Sequence, residues 1–503
     1  MKNNLDRLIQ EKIQRELGAQ TRRHFIQKCA TGMGGLALGS LFLGCDAFKG
    51  KQEKKQLGFS ERDLNPLAPL APPFGPKVKN VIFLHMAGAP SQLEMFDYKP
   101  ELQKLHDQDC PQSLLEGKKF AFIRGTPKLL GPQAKFEKVG ESGNWVSDNL
   151  PHFKSVVDEV AFLKAVHTDQ FNHGPAQLFM HTGSPRLGRP SLGSWITYGL
   201  GSENQNLPGF VVLTSGGKVP SAGKSVWGSG FLPSVYQGVQ CRSQGDPVLY
   251  IEDPQGMSRT LKKRTIEAIN AINKEEYAKY GDPEILARIN QYEMAYRMQI
   301  AVPDVMNIND EPDYIKELYG VEPGKESFAN NCLLARKLVE DGVRFVQLYD
   351  WGWDAHGTAE ETSVDIGLRS KCRDIDRPMT ALLLDLKQRG LLEETLVVWG
   401  GEFGRTPMQE NREGKTMGFK GRDHHGDAFT MWMAGGGIRK GASHGQTDAI
   451  GFSGIDGRVS VHDVNATILH LLGFDHEQFT FQFQGRPFRL TDVEGEVIRE
   501  VLA

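Results

Sequence analysis

At 503 residues, 39% hydrophobic and 24% charged, the chain has enough apolar sequence for a large buried core and is no disordered tail. With a formal net charge of −3, nothing in the bulk balance points to nucleic acid or a strongly anionic surface, and nucleic acid is not expected as a partner. No apolar run is long and clean enough for an integral membrane protein, and the length suits one large α/β domain with insertions or two domains.

Residues 1–45 read as a processing segment rather than part of the fold. Thr21-Arg22-Arg23-His24-Phe25-Ile26-Gln27 resembles a twin-arginine export signature, and the Gly- and Ala-rich run at 30–44 supplies a modestly hydrophobic core for it. The alternative is a short amphipathic helix of the mature protein. Leu41-Phe42-Leu43-Gly44-Cys45 resembles a lipoprotein cleavage box, with Phe42 where a smaller aliphatic is usual. A lipidated Cys45 would hold the protein to a membrane through acyl chains, whereas ordinary signal cleavage or an uncleaved anchor is the alternative. The expected location is the periplasm or cell envelope. Residues 46–77, with a Lys-, Gln- and Pro-rich stretch from 49 onward, read as a linker to a domain at 78–503. Beyond the leader, Cys110, Cys241, Cys332 and Cys372 are scattered without a C-x-x-C, which argues against a cysteine-rich zinc site.

Apolar runs predict strands at 79–86, 161–166, 210–214, 343–349, 395–399 and 429–434. Helices are expected at 171–182, 328–340, 379–390 and 461–472. Between about 258 and 320 the composition turns rich in Lys, Glu, Ile and Ala. Asp282-Pro283-Glu284 there suits a helix start, so this part reads as a helical insertion covering the sheet. Strand–helix alternation, with polar loops after the strands, predicts a doubly wound α/β sheet. The richest loops are Gly400-Gly401-Glu402-Phe403-Gly404-Arg405-Thr406-Pro407 and Gly421-Arg422-Asp423-His424-His425-Gly426, joined by the turn Asp350-Trp351-Gly352-Trp353-Asp354-Ala355-His356-Gly357.

These blocks, together with Met86-Ala87-Gly88-Ala89-Pro90-Ser91-Gln92-Leu93 and Leu490-Thr491-Asp492-Val493, strongly resemble the domain of unknown function family 1501. That family is similar to sulfatases and the alkaline phosphatase superfamily, which implies a three-layer α/β/α sandwich and hydrolysis or transfer of phosphate or sulfate esters with a bound divalent metal. By the same resemblance Glu402 stands in the Asp of an Asp-His-Gly metal turn and Phe403 in its His. His424 or His425 matches a later metal-binding His, and Asp354 and His356 resemble the other metal-binding turn, with Asp350 as a substitute. Counting back from Thr182-Gly183 places His173 where sulfatases carry the Cys or Ser nucleophile, and Met86-Ala87-Gly88 where the first metal-binding Asp belongs.

Imidazoles and carboxylates suit zinc, with calcium, magnesium or manganese as alternatives. The expected ligands are Asp354, His356, Glu402, His424 and His425. Adjacent His424 and His425 cannot both face one point from an extended segment, so one is expected to be structural or supporting. Asn172 and His173 at a helix start could bind an anionic group or supply a general base, and Arg405 offers a planar donor fork to a substrate oxyanion. The structural alternatives are a capped turn at Asp354 and His356, a buried Glu402–Arg405 ion pair, and a satisfied helix-start histidine. Asp97, His167, Asp169, His444 and His462 are candidates for supporting roles only, and Trp351 and Trp353 for flanking a sugar or, more simply, core packing. The leading expectation is an exported metal-dependent hydrolase of an anionic ester, on a sulfated or phosphorylated glycan for example. The alternative is a non-catalytic envelope binding or assembly protein on the same fold; a phosphoryl-transfer mutase is disfavoured by the lack of a Ser or Thr nucleophile.

Overall fold

Runs of Val, Ile, Leu and Phe without polar alternation can be stable as strands only when both sheet faces are covered. In the computed structural model this is what they form: β1 (Asn80–Ala87), all eight residues buried, β2 (Val160–His167), β3 (Phe210–Ser215), β4 (Val239–Cys241), β5 (Phe345–Trp351) and β6 (Thr395–Gly400). The structure describes residues 65–503 other than 246, 248–257, 413 and 416. Further along the chain come β7 (Gly404–Arg405), β8 (His424–His425), β9 (Phe429–Gly435), β10 (Ser443–His444) and β11 (Val459–Ser460). Among the described residues the main sheet has nine strands in the order β10-β2-β9-β6-β1-β5-β3-β4, with β11 also paired to β2.

The sheet is mixed. β9 runs antiparallel to both neighbours, β2 and β6, whereas β6, β1, β5 and β3 are mutually parallel. Helices cover both faces, giving three layers, as the resemblance implies. Along β5, Phe345 meets Phe210 at 5.1 Å and Tyr349 meets His181 of α1 (His173–Thr182) at 5.3 Å, while Asp350 turns to the other face and pairs with Lys371 at 2.7 Å. On the first face lies α2 (Leu192–Leu200), so close that a Cβ on Gly193 would stand 2.6 Å from the Phe210 ring. Lys371 belongs to α7 (Gly367–Gln388), which packs on α6 (Phe328–Glu340). Asn465 of α8 (Val461–Leu471) bonds the Met180 carbonyl at 3.2 Å, tying α8 to α1.

Three local expectations need correction. Residues 258–320 do hold helices, α3 (Arg259–Tyr280), α4 (Pro283–Val305) and α5 (Asp313–Tyr319), capped by Ser258 and Asp282. They do not cover the sheet as a unit: α3 buries only Asn270 and packs along α4. Helix α7 begins at Gly367, twelve residues before the expected start at 379, and carries Pro378 inside it. A helix tolerates that proline when tertiary contacts hold the turn, and the Asp376 carboxylate does so by accepting from the His152 and Phe153 amides at 2.8 Å. Residues 65–77, expected as tether, lie against the domain instead. Leu67 is buried, the Leu70 amide bonds Leu200, and the Lys77 and Val78 amides bond Leu471. The export signature, the cleavage box and residues 46–64 of the linker lie outside the described residues. Among the described residues no helix is long and apolar enough to cross a membrane.

Candidate metal centre

The neighbours β6, β1 and β5 release their chains at the same edge of the sheet, and the site is built from the loops that follow them. β1 turns at Gly88, whose φ is +112°, a conformation L side chains rarely adopt. A Cβ there would also stand 2.7 Å from the Asp354 amide nitrogen, so the turns after β1 and β5 touch backbone to backbone. The Gly88 amide donates to Glu402 Oε1 at 3.0 Å.

Glu402 is fully buried. Its Oε1 also receives His173 Nδ1 at 2.7 Å and Gln177 Nε2 at 3.0 Å, and its Oε2 lies 3.2 Å from His85 Nε2. Burial alone would raise its carboxyl; contacts with His173 and His85 outweigh that and hold it well below the usual range.

The other nitrogen of His173 faces the cluster. His173 Nε2 is 3.2 Å from Asp354 Oδ1, which lies 2.8 Å from His356 Nε2 and 3.3 Å from His424 Nε2; the last two nitrogens are 3.1 Å apart. One atom from each of His173, Asp354, His356 and His424 thus falls within 4.8 Å of the rest. Each imidazole is oriented from behind through Nδ1: His173 by Glu402, His356 by the buried carboxylate of Glu410, and His424 by the Phe171 carbonyl at 2.6 Å. With Nδ1 donating, a neutral ring presents a lone pair at Nε2. Three lone pairs and a carboxylate aimed at one point, each ring backed by an acceptor, is the donor set a divalent ion such as zinc takes. His173 Nε2 is moreover buried without a hydrogen-bond partner, so these residues fit a metal.

The charges agree with a cation site. Despite burial, the Arg405 guanidinium and the three imidazoles hold Asp354 far below the usual carboxylate range. Burial lowers His424 to about 4, whereas in His173 the carboxylates of Asp354 and Glu402 overcome burial and raise it to about 9. Access is through Asp354 and His173, whose side chains are 32% and 15% exposed. Phe403 closes the back, its ring 4.9 Å from His173 and 4.6 Å from His424. Phe122 stands edge-on to His356 at 4.9 Å with Arg412 above it, and Lys218 lies 6.0 Å over Trp351.

Of the residues expected from the sequence, Asp354, His356, His424 and His173 come together. Glu402 touches the cluster only through His173, and it forms no ion pair with Arg405. His425 points away: its ring stacks on Phe452 at 4.7 Å and its Nε2 meets the Phe452 carbonyl. The antiparallel pairing of β8 with β7, His424 opposite Arg405 and His425 opposite Gly404, forces that divergence. Arg405 is not a free fork for substrate. Fully buried, it donates to the Ala89 carbonyl at 2.9 Å, the Arg422 carbonyl at 3.1 Å, the Gly88 carbonyl, and Asp354 at 2.6 Å. It is the buttress that fixes Asp354. Asn172 is the exposed N-cap of α1, and its side chain makes no capping bond.

Other candidates fall elsewhere. Asp350 is buried under Ser215, Trp353 and Lys371, which makes Trp353 a core residue and no sugar platform. Asp97 bonds Thr447 and Lys99, and His462 bonds Gly183 and Glu494. The four described cysteines are buried free thiols with pKa values pushed up by burial, that of Cys110 to about 11. Sequence reasoning missed Glu410, Gln177 and His85. None stands in a loop motif: Gln177 and His85 lie inside regular elements, where polar residues carry no positional signal.

Residues 78–502 match the family described as "Protein of unknown function (DUF1501)". No curated protein matches the chain in sequence. Similar solved structures include the alkaline phosphatase of the Antarctic bacterium TAB5, 12% identical over 79% of this chain and 99% of that one, with a TM-score of 0.32. PsFucS1 sulfatase from Pseudoalteromonas sp. is 14% identical over 80% and 68%, TM-score 0.35. The C-terminal periplasmic domain of EcEptC from Escherichia coli, in complex with Zn, is 9% identical over 82% and 88%, TM-score 0.36.

Proposed function

We propose that this chain, which belongs to the DUF1501 family of proteins of unknown function, is a metal-dependent hydrolase of anionic esters, a sulfate, a phosphate or a related group on a glycan being the substrate class. The observation that carries this reading is the convergence of His173, His356 and His424 Nε2 on Asp354 Oδ1, each imidazole oriented from behind by its own acceptor. A divalent ion held by these four groups would supply Lewis-acid polarisation of an ester oxygen and of water. The chain's own residues do the rest. Glu402, Glu410 and the Phe171 carbonyl hold a proton on Nδ1 of each ring, so that Nε2 is the nitrogen left for the ion, with His173 giving up its Nε2 proton on binding it; Arg405 keeps Asp354 charged and in place, and Phe403 and Phe122 exclude water from the back of the cluster. Asn172, exposed beside His173, would orient a substrate oxygen.

The resemblance to sulfatases implies that His173 falls on the nucleophile position, yet its Nδ1 is held by Glu402 and its unpartnered Nε2 faces Asp354, so the role proposed for it is that of a ligand and not of a nucleophile or free base. The same fact favours the second reading, a non-catalytic binding or assembly protein that keeps a metal as a structural element. The leader suits either: Arg22-Arg23 would direct twin-arginine export to the periplasm or envelope, and Cys45, if acylated, would add a membrane anchor. Metal analysis of protein purified without chelators, with assays on p-nitrophenyl phosphate, bis-p-nitrophenyl phosphate and p-nitrophenyl sulfate, separates the readings. Metal near one equivalent, with turnover lost in His424→Ala, is expected. Stoichiometric metal with no turnover on any ester favours the binding protein, and wild-type protein that takes up no divalent ion sinks both.

A further inference from the structure

Behind His173 a row of polar groups runs inward, away from the mouth of the site, to where nothing in the proposed reaction requires them. His181, two turns along α1, places its Nε2 3.2 Å from His85 Nδ1, and His85 Nε2 lies 3.2 Å from Glu402 Oε2, within ion-pair distance although the angle makes no hydrogen bond for either atom. His181, His85 and Glu402 are all buried, at 1%, 0% and 0% exposure. Phe83 and Tyr349 wall the two imidazoles, their rings 5.2 and 5.3 Å from that of His181.

The proton positions in this row follow from its end. A carboxylate only accepts, so the His85 ring must present Nε2–H to Glu402. Its Nδ1 is then a lone pair, and His181 must donate to it from Nε2. Gln177 is oriented by the same logic: its Oε1 accepts from the Ala222 amide at 3.2 Å, which turns its NH2 toward Glu402. With the Gly88 amide, every group around Glu402 donates inward, and the one remaining donor is His173 Nδ1.

We infer that His85, backed by His181, is a positioning residue of the metal centre: through Glu402 it fixes His173 with its proton on Nδ1 and its Nε2 lone pair toward Asp354, His356 and His424. This rests on the metal reading above. Among the described residues Glu402 Oε2 has no other polar neighbour to compensate it than the His85 Nε2 edge at 3.2 Å, so an apolar side chain at 85 would leave it facing an apolar wall, and the carboxylate would gain by rotating away from His173.

The test compares His85→Leu, which fills the space without a donor, with His85→Gln, whose amide can donate to Glu402 and accept from His181. Zinc affinity is read by competition with a chromophoric chelator in the full chain. A loss of about 10- to 100-fold in His85→Leu is expected, with His85→Gln within about threefold of wild type. Two variants that both bind as wild type, or both lose affinity equally, overturn the inference while leaving the metal reading intact; wild-type protein that binds no zinc fails the metal reading itself, and the inference with it. If His85→Leu does not fold, nitrogen NMR of the 15N-histidine-labelled wild type decides. His85 protonated on Nε2 supports the inference, and His85 protonated on Nδ1 overturns it.

Discussion

His424 Nε2 lies 3.1 Å from His356 Nε2, and the opposite nitrogen of each ring faces an acceptor, the Phe171 carbonyl for one and Glu410 for the other. In neutral rings these are two lone pairs in contact, an arrangement relieved by a shared cation. Adding zinc to chelator-treated protein is therefore expected to raise its thermal midpoint. At a free concentration 100 times Kd the gain is about 2.7 kcal/mol. His424→Ala should abolish the shift. His425→Ala should leave the zinc shift in place and cost only about 1–2 kcal/mol, from its bond to the Phe452 carbonyl and its stacking. Calorimetry of both variants with and without zinc checks this.

Arg405 joins three backbone carbonyls and Asp354 from within the core. A lysine has one ammonium point and cannot cover them. Arg405→Lys is expected to lose about 3–5 kcal/mol in urea unfolding, because carbonyls and a buried charge are left without donors. Metal occupancy should fall with it, since Asp354 loses its buttress.

Gly88→Ala combines a φ of +112° with a Cβ 2.7 Å from the Asp354 amide. Backbone cannot yield as a flexible side chain does, so the variant is expected to lose about 2 kcal/mol or more and to bind metal more weakly. Circular dichroism melts and metal analysis read the two effects separately.

Glu402→Gln keeps the shape but replaces one acceptor oxygen with a donor amide. Gly88, Gln177, His173 and His85 all point hydrogens or ring nitrogens at that carboxylate, so at least one contact becomes donor against donor. A loss of about 1–3 kcal/mol in stability and roughly 10- to 100-fold in zinc affinity is expected, by denaturant titration and chelator competition.

His167, His470 and His476, all away from the metal cluster, are lowered below 6.5, in each case first by burial and next by a nearby arginine. Below pH 6.5 the unfolded chain takes up protons there that the folded chain refuses, so stability falls as pH drops from 6.5 toward the depressed values. Chelator-treated protein is expected to melt lower at pH 5.5 than at 7.5. His167→Gln should flatten part of that slope; an unchanged slope would remove His167 from the explanation.

Much of the scaffold is legible before any coordinates. β1, β5 and β6 announce themselves because strands covered on both faces are apolar at most positions, and β1 is buried throughout, its His85 included. The turn residues Asp354 and His356 and the pair His424-His425 stand out because charged and imidazole groups in loops after such strands have no packing role. The first turns of helix α7 are hard to read from the sequence because Pro378 lies inside it, and proline reads as a break unless a distant partner, here the loop at His152, stabilises the turn. Helix α2 left no polar alternation to read, being buried at nearly every position.

What the amino-acid order determined by itself was which loops carry chemistry and which strands form the core, because burial period and residue type are local properties of the chain. Which nitrogen faces the metal point, that His425 turns outward while His424 turns in, that Arg405 braces Asp354 instead of greeting a substrate, and that His85 stands behind Glu402 were decided only by tertiary structure. Glu402 and His85 are more than 300 positions apart, and a 3.2 Å contact between them exists only because β6 lies beside β1 in the folded sheet.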